Sequence, residues 1–310
     1  LDAIRTKDLT RRFGDTVAVD SLSLSVQEGE LFGLVGPDGA GKTTVMRLLT
    51  AILDPSGGDA WVMGRSVRAE PGKIHSEIGY MSQRFGLYAD LSVLENLHFY
   101  ADLYGVPRKG REVRIEELLA FAGLTPFKNR FAGNLSGGMK QKLGLACTLV
   151  HTPRVLFLDE PTSGVDPVSR RDFWRILYRL LREKVTIFVS TAYLDEAERF
   201  QRLALLHRGR SLAVGTPVEV KALFPGTILE IRCEEPRRAA AVLRKEIPGS
   251  SVGLFGDRVH AGVGDPASAA RDIEKVLAGA GIACTSVQPI EPALEDVFVA
   301  VLSHGREARP

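Results

Sequence analysis

The chain has 310 residues, with 40 Lys and Arg against 38 Asp and Glu and a net charge of +2 at pH 7. That length allows one large domain or two ordinary ones, and the even charge argues against nucleic-acid binding by field alone. The cysteines Cys147, Cys233 and Cys284 are far apart without metal-ligand spacing, which points to a reducing compartment. No apolar run approaches the ~20 residues of a membrane span and no secretory signal is visible, so any membrane connection is expected to come through a partner.

Residues 2–35 read as short strands broken by turns. Ala3-Ile4-Arg5 precedes a turn at Phe13-Gly14-Asp15; Val17-Ala18-Val19 and the alternating Leu22, Leu24 and Val26 follow. Phe13 is ordinarily a packing residue, but its ring could stack on an adenine, a contact worth roughly 1–3 kcal/mol. Residues 30–35 read as a strand and 43–53 as a helix. Between them Gly36, four residues, Gly41, Lys42 and Thr43 have the spacing of a phosphate-binding loop. Gly36, Gly39 and Gly41 let the backbone curl so that N–H groups converge, and the following helix aims its N-terminus at the same point. Lys42 adds a mobile cation for the outer phosphates, and Thr43 a hydroxyl for a phosphate-bridging Mg²⁺.

A turn at Asp54-Pro55-Ser56-Gly57-Gly58 leads to a strand at 59–63 and another ending in Gln83. Residues 92–104 read as a helix with Ser92 as cap and Glu95 completing a capping box; a second helix, 113–122, stops at Gly123. The stretch of about 86–150 is helical between flanks that alternate strand and helix, which predicts an inserted helical subdomain. Within it Ser136, Gly137 and Gly138 open a helix through Val150 and form a second potential anion site of the same physical kind. Residues 155–160 are an apolar strand ending in Asp159 and Glu160, whose side chains point in different directions unless the chain bends. Beside a phosphate loop, Asp159 suits a Mg²⁺ shell and Glu160 a general base that polarises water. Asp166-Pro167 starts a helix with an apolar face of Phe173, Ile176, Leu177, Leu180 and Leu181, so Asp166 is already explained as a cap. Strands at 185–190 and 203–206, with helical residues 195–199 between, predict a mostly parallel, helix-flanked sheet.

Near Phe224-Pro225-Gly226 the pattern changes. A strand at 227–231, a helix at 236–247, a hairpin over 252–263 turning near Gly256-Asp257, a helix at 268–278, a strand at 283–288 and a last helix at 293–302 follow. This order predicts a small α+β, ferredoxin-like domain of about 85 residues without an evident chemical site.

The phosphate loop, Gln83, Leu135-Ser136-Gly137-Gly138-Met139 and the Asp159-Glu160 strand, in this order, resemble an ATP-binding cassette (ABC) transporter nucleotide-binding subunit over about residues 3–222. The runs 190–198 and 294–298 are similar to those of the drug-export type. The resemblance implies an α/β P-loop NTPase core with an antiparallel β subdomain and an inserted helical subdomain in residues 1–222, and a small accessory domain in 223–310. It implies an ATPase on the cytoplasmic face of the inner membrane that powers export by a separate membrane-spanning permease subunit, without nucleic acid. Residue by residue, Phe13 would stack on adenine, and Gly36, Pro37, Gly39, Ala40, Gly41, Lys42, Thr43 and Thr44 would hold the phosphates of ATP. Thr43, Gln83 and Asp159 would hold Mg²⁺, while Glu160, with Gln83 and Lys42, would carry catalysis. Ser136, Gly137 and Gly138 would bind the γ-phosphate of ATP on a second cassette subunit, with Asp166 at that interface. The permease would engage the region after Gln83, especially Phe85, Leu87 and Tyr88.

Three positions depart from the family pattern. Ala192 stands where a histidine usually contacts the γ-phosphate, a loss that can cost about 2.7–4 kcal/mol, or roughly 100 to 1000 in rate. This motivates an alternative, a low-turnover ATP-dependent binding switch or the weak half of an asymmetric pair. Asp38 replaces the usual Asn; about 6 Å from a phosphate charge it would cost about 3 kcal/mol at an effective dielectric of ~20, so it is expected to point outward. Val165 for Leu is conservative.

Overall fold

A computed structural model of the chain describes residues 1–84, 86–224, 226–247 and 251–307, the last seven as backbone alone. Its contacts divide it into two compact units, 1–214 and 215–310.

The first unit opens with β1 (Asp2–Phe13), which turns back into β2 (Thr16–Leu22) and also pairs with β3 (Ser25–Gln27). The next strand, β4 (Leu31–Val35), is buried at every position, as a strand covered on both faces must be. It runs through the glycine loop into α1 (Lys42–Leu49). Then β5 (Gly57–Val62) and β6 (Arg65–Ser66) complete an antiparallel sheet in the order β2-β1-β5-β6, with β3 beside β1. A short α2 (Pro71–His75) and β7 (Ile78–Met81) lead to Gln83.

Three helices follow, α3 (Val93–Leu103), α4 (Arg111–Ala122) and α5 (Gly137–Thr148). The expected capping box is formed: Glu95 N donates to Ser92 Oγ at 3.2 Å, and Ser92 N to Glu95 Oε2 at 2.7 Å. Fully buried Asn96 donates to the carbonyls of Tyr88, Leu91 and Ser92, which ties the segment after Gln83 to this subdomain.

The chain returns through β8 (Val155–Asp159), α6 (Pro167–Arg182), β9 (Thr186–Thr191), a 3₁₀ turn at Leu194–Arg199, β10 (Arg202–His207) and β11 (Arg210–Gly215). The six-stranded sheet runs β11-β10-β4-β9-β8-β7, and its five strands from β10 to β7 are parallel neighbours. Pairing of Val35 with Thr191 and of Asp159 with Ser190 brings the carboxyl ends of β4, β9 and β8 to one level, where open α/β sheets bind ligands. One core joins both sheets through α1: Ile4, Leu9 and Val62 share it with Val45, Met46, Phe157 and Phe188.

The second unit starts with α7 (Pro217–Lys221), opened by a capping box of Thr216 and Glu219. It continues through β12 (Thr227–Cys233), α8 (Pro236–Glu246), β13 (Ser251–Phe255), β14 (Arg258–Val263), α9 (Pro266–Gly279), β15 (Cys284–Ile290) and α10 (Leu294–Glu307). The strand order β13-β14-β12-β15 with antiparallel neighbours is ferredoxin-like. Phe255 pairs with Arg258 around the Gly256-Asp257 turn, where the hairpin was expected. Ala239, Ala240 and Leu243 of α8 and Ile273 and Leu277 of α9 bury against Leu229, Ile231 and Val259. The division by contacts falls eight residues before the boundary of 222/223 read from sequence, because α7 packs with α10 of its own unit.

Gly33 in β4 leaves no room for a side chain: a Cβ would stand 2.1 Å from the Phe200 ring, itself buried and edge-on to Trp174. Gly33→Ala is expected to lower stability by about 1–3 kcal/mol in urea denaturation. Gly72→Ala, where nothing lies within 4 Å, is expected to leave the midpoint unchanged or slightly raised.

Candidate functional site

The loop between β4 and α1 is drawn tight against its surroundings. A Cβ on Gly36 would meet Leu206 O at 2.2 Å, and one on Gly41, at φ +105°, would meet Ala18 O at 2.3 Å, so both positions require glycine. Gly36 N donates to Thr191 O at 3.2 Å, Ala40 N to Pro37 O at 3.1 Å and Gly209 N to Ala40 O at 2.8 Å. The loop thus hangs from β9 and from the β10–β11 turn. Gly41 precedes α1 without a side-chain cap, so the first N–H groups of the helix are left for an anion. The loop borders a cavity of about 580 Å³ lined by Asp38, Gly39, Gly41, Lys42, Thr43, Thr44, Gln83 and Glu160, together with Thr16, Val17, Ala18 and Arg208. That volume is in the range of small-molecule sites.

Lys42 is buried, with all three of its donors placed: Gly36 O at 2.8 Å, Pro37 O at 3.0 Å and Glu160 Oε1 at 3.0 Å. Gln83 Nε2 donates to the other oxygen of Glu160 at 3.2 Å. Glu160 has φ +50°, a left-handed bend that costs roughly 1–3 kcal/mol in a residue with a Cβ. This is the bend that two adjacent strand-end carboxylates needed. Ser190 holds it: Glu160 N donates to Ser190 O at 3.1 Å and to Ser190 Oγ at 3.0 Å. Ser190 Oγ in turn donates to Asp159 Oδ1 at 2.5 Å. Asp159 is 1% exposed, and its Oδ2 is buried with no hydrogen-bond partner. An orphaned buried carboxylate oxygen is costly, and a cation would relieve it. Next to it, burial and secondarily the Asp159 charge push the Tyr80 phenol up to about 12, so Tyr80 stays neutral.

The other expected residues fall into separate places. Phe13 is 48% exposed under the Arg11 guanidinium at 4.6 Å, and the cavity lining contains its cross-strand partner Thr16 rather than Phe13 itself. Asp38 is exposed, as screening of its charge requires, yet it belongs to the lining instead of facing away from it. Ser136 caps α5 by accepting from Met139 N at 3.3 Å, and Asp166 caps α6 by accepting from Ser169 N at 2.9 Å. Hydrogen bonding from Ser169 holds the Asp166 carboxyl below the usual carboxylate range. Gly138 presses on that same first turn of α6: a Cβ there would stand 2.3 Å from Ser169 Oγ. The residues 136–138 and Asp166 therefore group at the N-termini of α5 and α6, and none of them lines the cavity. Leu87 is half-buried and Tyr88 is 46% exposed against Phe99; Phe85 lies outside the described residues. Sequence reasoning missed Thr16, Val17 and Ala18 of the lining, and also Ser190 and Arg208. Ser190 is a polar residue near the end of an apolar strand, a signal that was available; Arg208 is in a β-turn and gives none.

Residues 19–163 match the family model described as ABC transporter. The probable multidrug ABC transporter ATP-binding protein YbhF of Escherichia coli (strain K12) is 49% identical over 228 residues, which is 73% of this chain and 39% of that protein. The daunorubicin resistance ATP-binding protein DrrA2 of Streptomyces coeruleorubidus is 34% identical over 310 residues, 98% of this chain and 96% of that protein. A dimeric post-hydrolysis structure of the ATP-binding cassette MJ0796 bound to ADP and Pi is 25% identical and covers 69% of this chain and 98% of its own, with a TM-score of 0.63. The chain spans well under half of the Escherichia coli relative and nearly all of the Streptomyces one. With a glycine loop, a strand-end carboxylate pair and an end-to-end relative of this kind, the chain belongs to the family of ABC transporter ATP-binding proteins.

Proposed function

We propose that the chain binds ATP, hydrolyses it to ADP and phosphate, and so powers export through a separate membrane-spanning subunit. The observation that carries this reading is the contact of buried Lys42 with Glu160, and of Glu160 with exposed Gln83, at the N-terminus of α1, next in the chain to the unpartnered Asp159 Oδ2. The backbone N–H groups of Gly39 and of Gly41 to Thr44, with the Lys42 ammonium, hold the phosphates, and Phe13 packs on the adenine beside β2. A triphosphate offers Lys42 stronger acceptors than two carbonyls and competes with Glu160 for the ammonium. Once Lys42 leaves, Glu160 Oε1 is free to accept a proton from water, while Gln83 stays on Oε2 and orients the group.

Asp159 Oδ2, Thr43 and Gln83 would hold Mg²⁺, which supplies charge neutralisation on the phosphate oxygens. Among the described residues no three His, Cys, Asp or Glu side chains gather as a metal cage, which suits an ion held largely by phosphate and water.

The residues 136–138 and Asp166 lie together outside the cavity, an arrangement that suits the γ-phosphate of a nucleotide held by a second cassette subunit. The dimeric MJ0796 cassette supports that assembly. Among the described residues no helix is long and apolar enough to cross a membrane, and relatives named as ATP-binding proteins support a separate permease with this chain on its inner face. A groove of about 270 Å³ beside Gln83, lined by Arg84, Leu87, Ala89, Lys140 and Gln141, is the surface that meets it. The names of the relatives, multidrug and daunorubicin resistance, support a drug-like cargo.

One observation favours a second reading. Ala192 is half-buried directly after Thr191, and a methyl group cannot donate to a phosphate. Steady-state hydrolysis by the purified chain separates the two. Glu160→Gln is expected to lower turnover by about 10²–10⁴-fold, with Ala192→His changing little. A silent wild type restored by Ala192→His would make the chain a binding switch. For the permease, Leu87→Asp in the groove and Tyr88→Asp beside it are each expected to weaken co-purification by about tenfold or more; unchanged capture of both variants would remove this segment from the interface.

A further inference from the structure

Glu196 is a carboxylate with no solvent exposure, lying outside the cavity that borders Lys42 and Glu160. Three donors from three separate segments converge on it. Thr162 Oγ1 reaches Glu196 Oε1 at 2.8 Å and Trp174 Nε1 reaches the same oxygen at 3.1 Å, while Thr191 Oγ1 reaches Oε2 at 2.8 Å. The Arg170 guanidinium supplies the nearby positive charge at 3.9 Å. Packing alone does not account for a fully buried carboxylate, since an apolar side chain of similar size would fill the space without needing four polar neighbours.

What the donors have in common is their place in the chain. Thr162 is two residues after Glu160, and Thr191 follows Ser190, the residue that accepts from Glu160 N and donates to Asp159. Thr191 Oγ1 also accepts from Tyr193 N at 3.0 Å, so the same hydroxyl shapes the turn that carries Ala192. Glu160 sits in a left-handed conformation, and such a conformation persists only where the surroundings over-determine it. Ser190 braces it directly, and Glu196 anchors the two neighbouring positions, Thr162 two residues beyond Glu160 and Thr191 next to Ser190.

We propose that Glu196 is a positioning residue: by tying Thr162 and Thr191 to α6 it holds the Glu160 carboxylate where it meets Lys42 and Gln83, and it holds the turn bearing Ala192 in register with it. The proposal rests on the ATPase reading above, and it acts through Glu160 without touching nucleotide.

The test replaces the hydroxyls and the carboxylate separately in the full chain. Thr162→Val and Thr191→Val keep shape and lose the donor; Thr162→Ser and Thr191→Ser keep the donor. Glu196→Gln removes the charge. Two measurements are made: kcat and KM for Mg-ATP, and amide hydrogen exchange of residues 160–164 and 190–193. The valine variants and Glu196→Gln are expected to lower kcat about tenfold with KM within twofold, and to speed exchange in both segments together, while the serine variants stay near wild type. The proposal is overturned if the valine variants keep wild-type kcat, if serine fails to rescue, if KM rises in step with the loss of kcat, or if exchange changes in one segment alone. A wild type without hydrolysis would instead sink the ATPase reading, and the exchange measurement would still decide whether Glu196 couples the two segments.

Discussion

The site depends on the register of three parallel strands. Val35 of β4 pairs with Thr191 of β9, and Asp159 of β8 pairs with Ser190 of β9, so the glycine loop, the serine and the carboxylates leave the sheet at one height. A slip of one residue that set Val189 opposite Asp159 would remove the hydroxyl that links the Asp159 carboxylate to Glu160 N. All three strands are buried at every position, which fixes that register through the core. Gly36 N on Thr191 O then carries the register into the loop, and Gly36 and Gly41 allow it to press on Leu206 and Ala18.

Within that frame the polar groups form one chain of contacts with two kinds of ends. At one end Glu196 is closed off, its oxygens taken by Thr162, Trp174 and Thr191. At the other end Asp159 Oδ2 has no hydrogen-bond partner and Lys42 is paired with Glu160, the contact that the proposed mechanism has an incoming anion displace. A satisfied end gives rigidity, and an unsatisfied end gives a reason to bind. The second unit offers no comparable opening at its buried His260, which is taken up by Asp296 at 2.9 Å and stacked on Phe255.

Local signals were legible in the sequence. The glycine turn into α1, the Ser92–Glu95 box, the Asp166 cap and the βαββαβ order of the second unit each rest on residues a few positions apart, and each appears in the structure where it was read. What stayed hidden depends on topology. Ser190 meets Asp159 across 31 residues, and Glu196 meets Thr162 across 34, through strand order that no short pattern records. Phe13 was legible as a neighbour of the site but not as a ring placed beside Arg11 rather than in the lining. The Thr216–Glu219 capping box was overlooked, and with it the first element of the second unit.

The most direct measurement is the equilibrium dissociation constant for ATP, by calorimetry, of the wild type, Glu160→Gln and Lys42→Ala. If Lys42 is shared between Glu160 and the phosphates, removing the carboxylate charge leaves a freer ammonium, and Glu160→Gln binds ATP at least as tightly as wild type while Lys42→Ala binds at least about tenfold more weakly. If Glu160→Gln loses affinity as Lys42→Ala does, or if Lys42→Ala binds like wild type, the contact between these two residues is a fixed structural pair and the displacement at the centre of the mechanism does not occur.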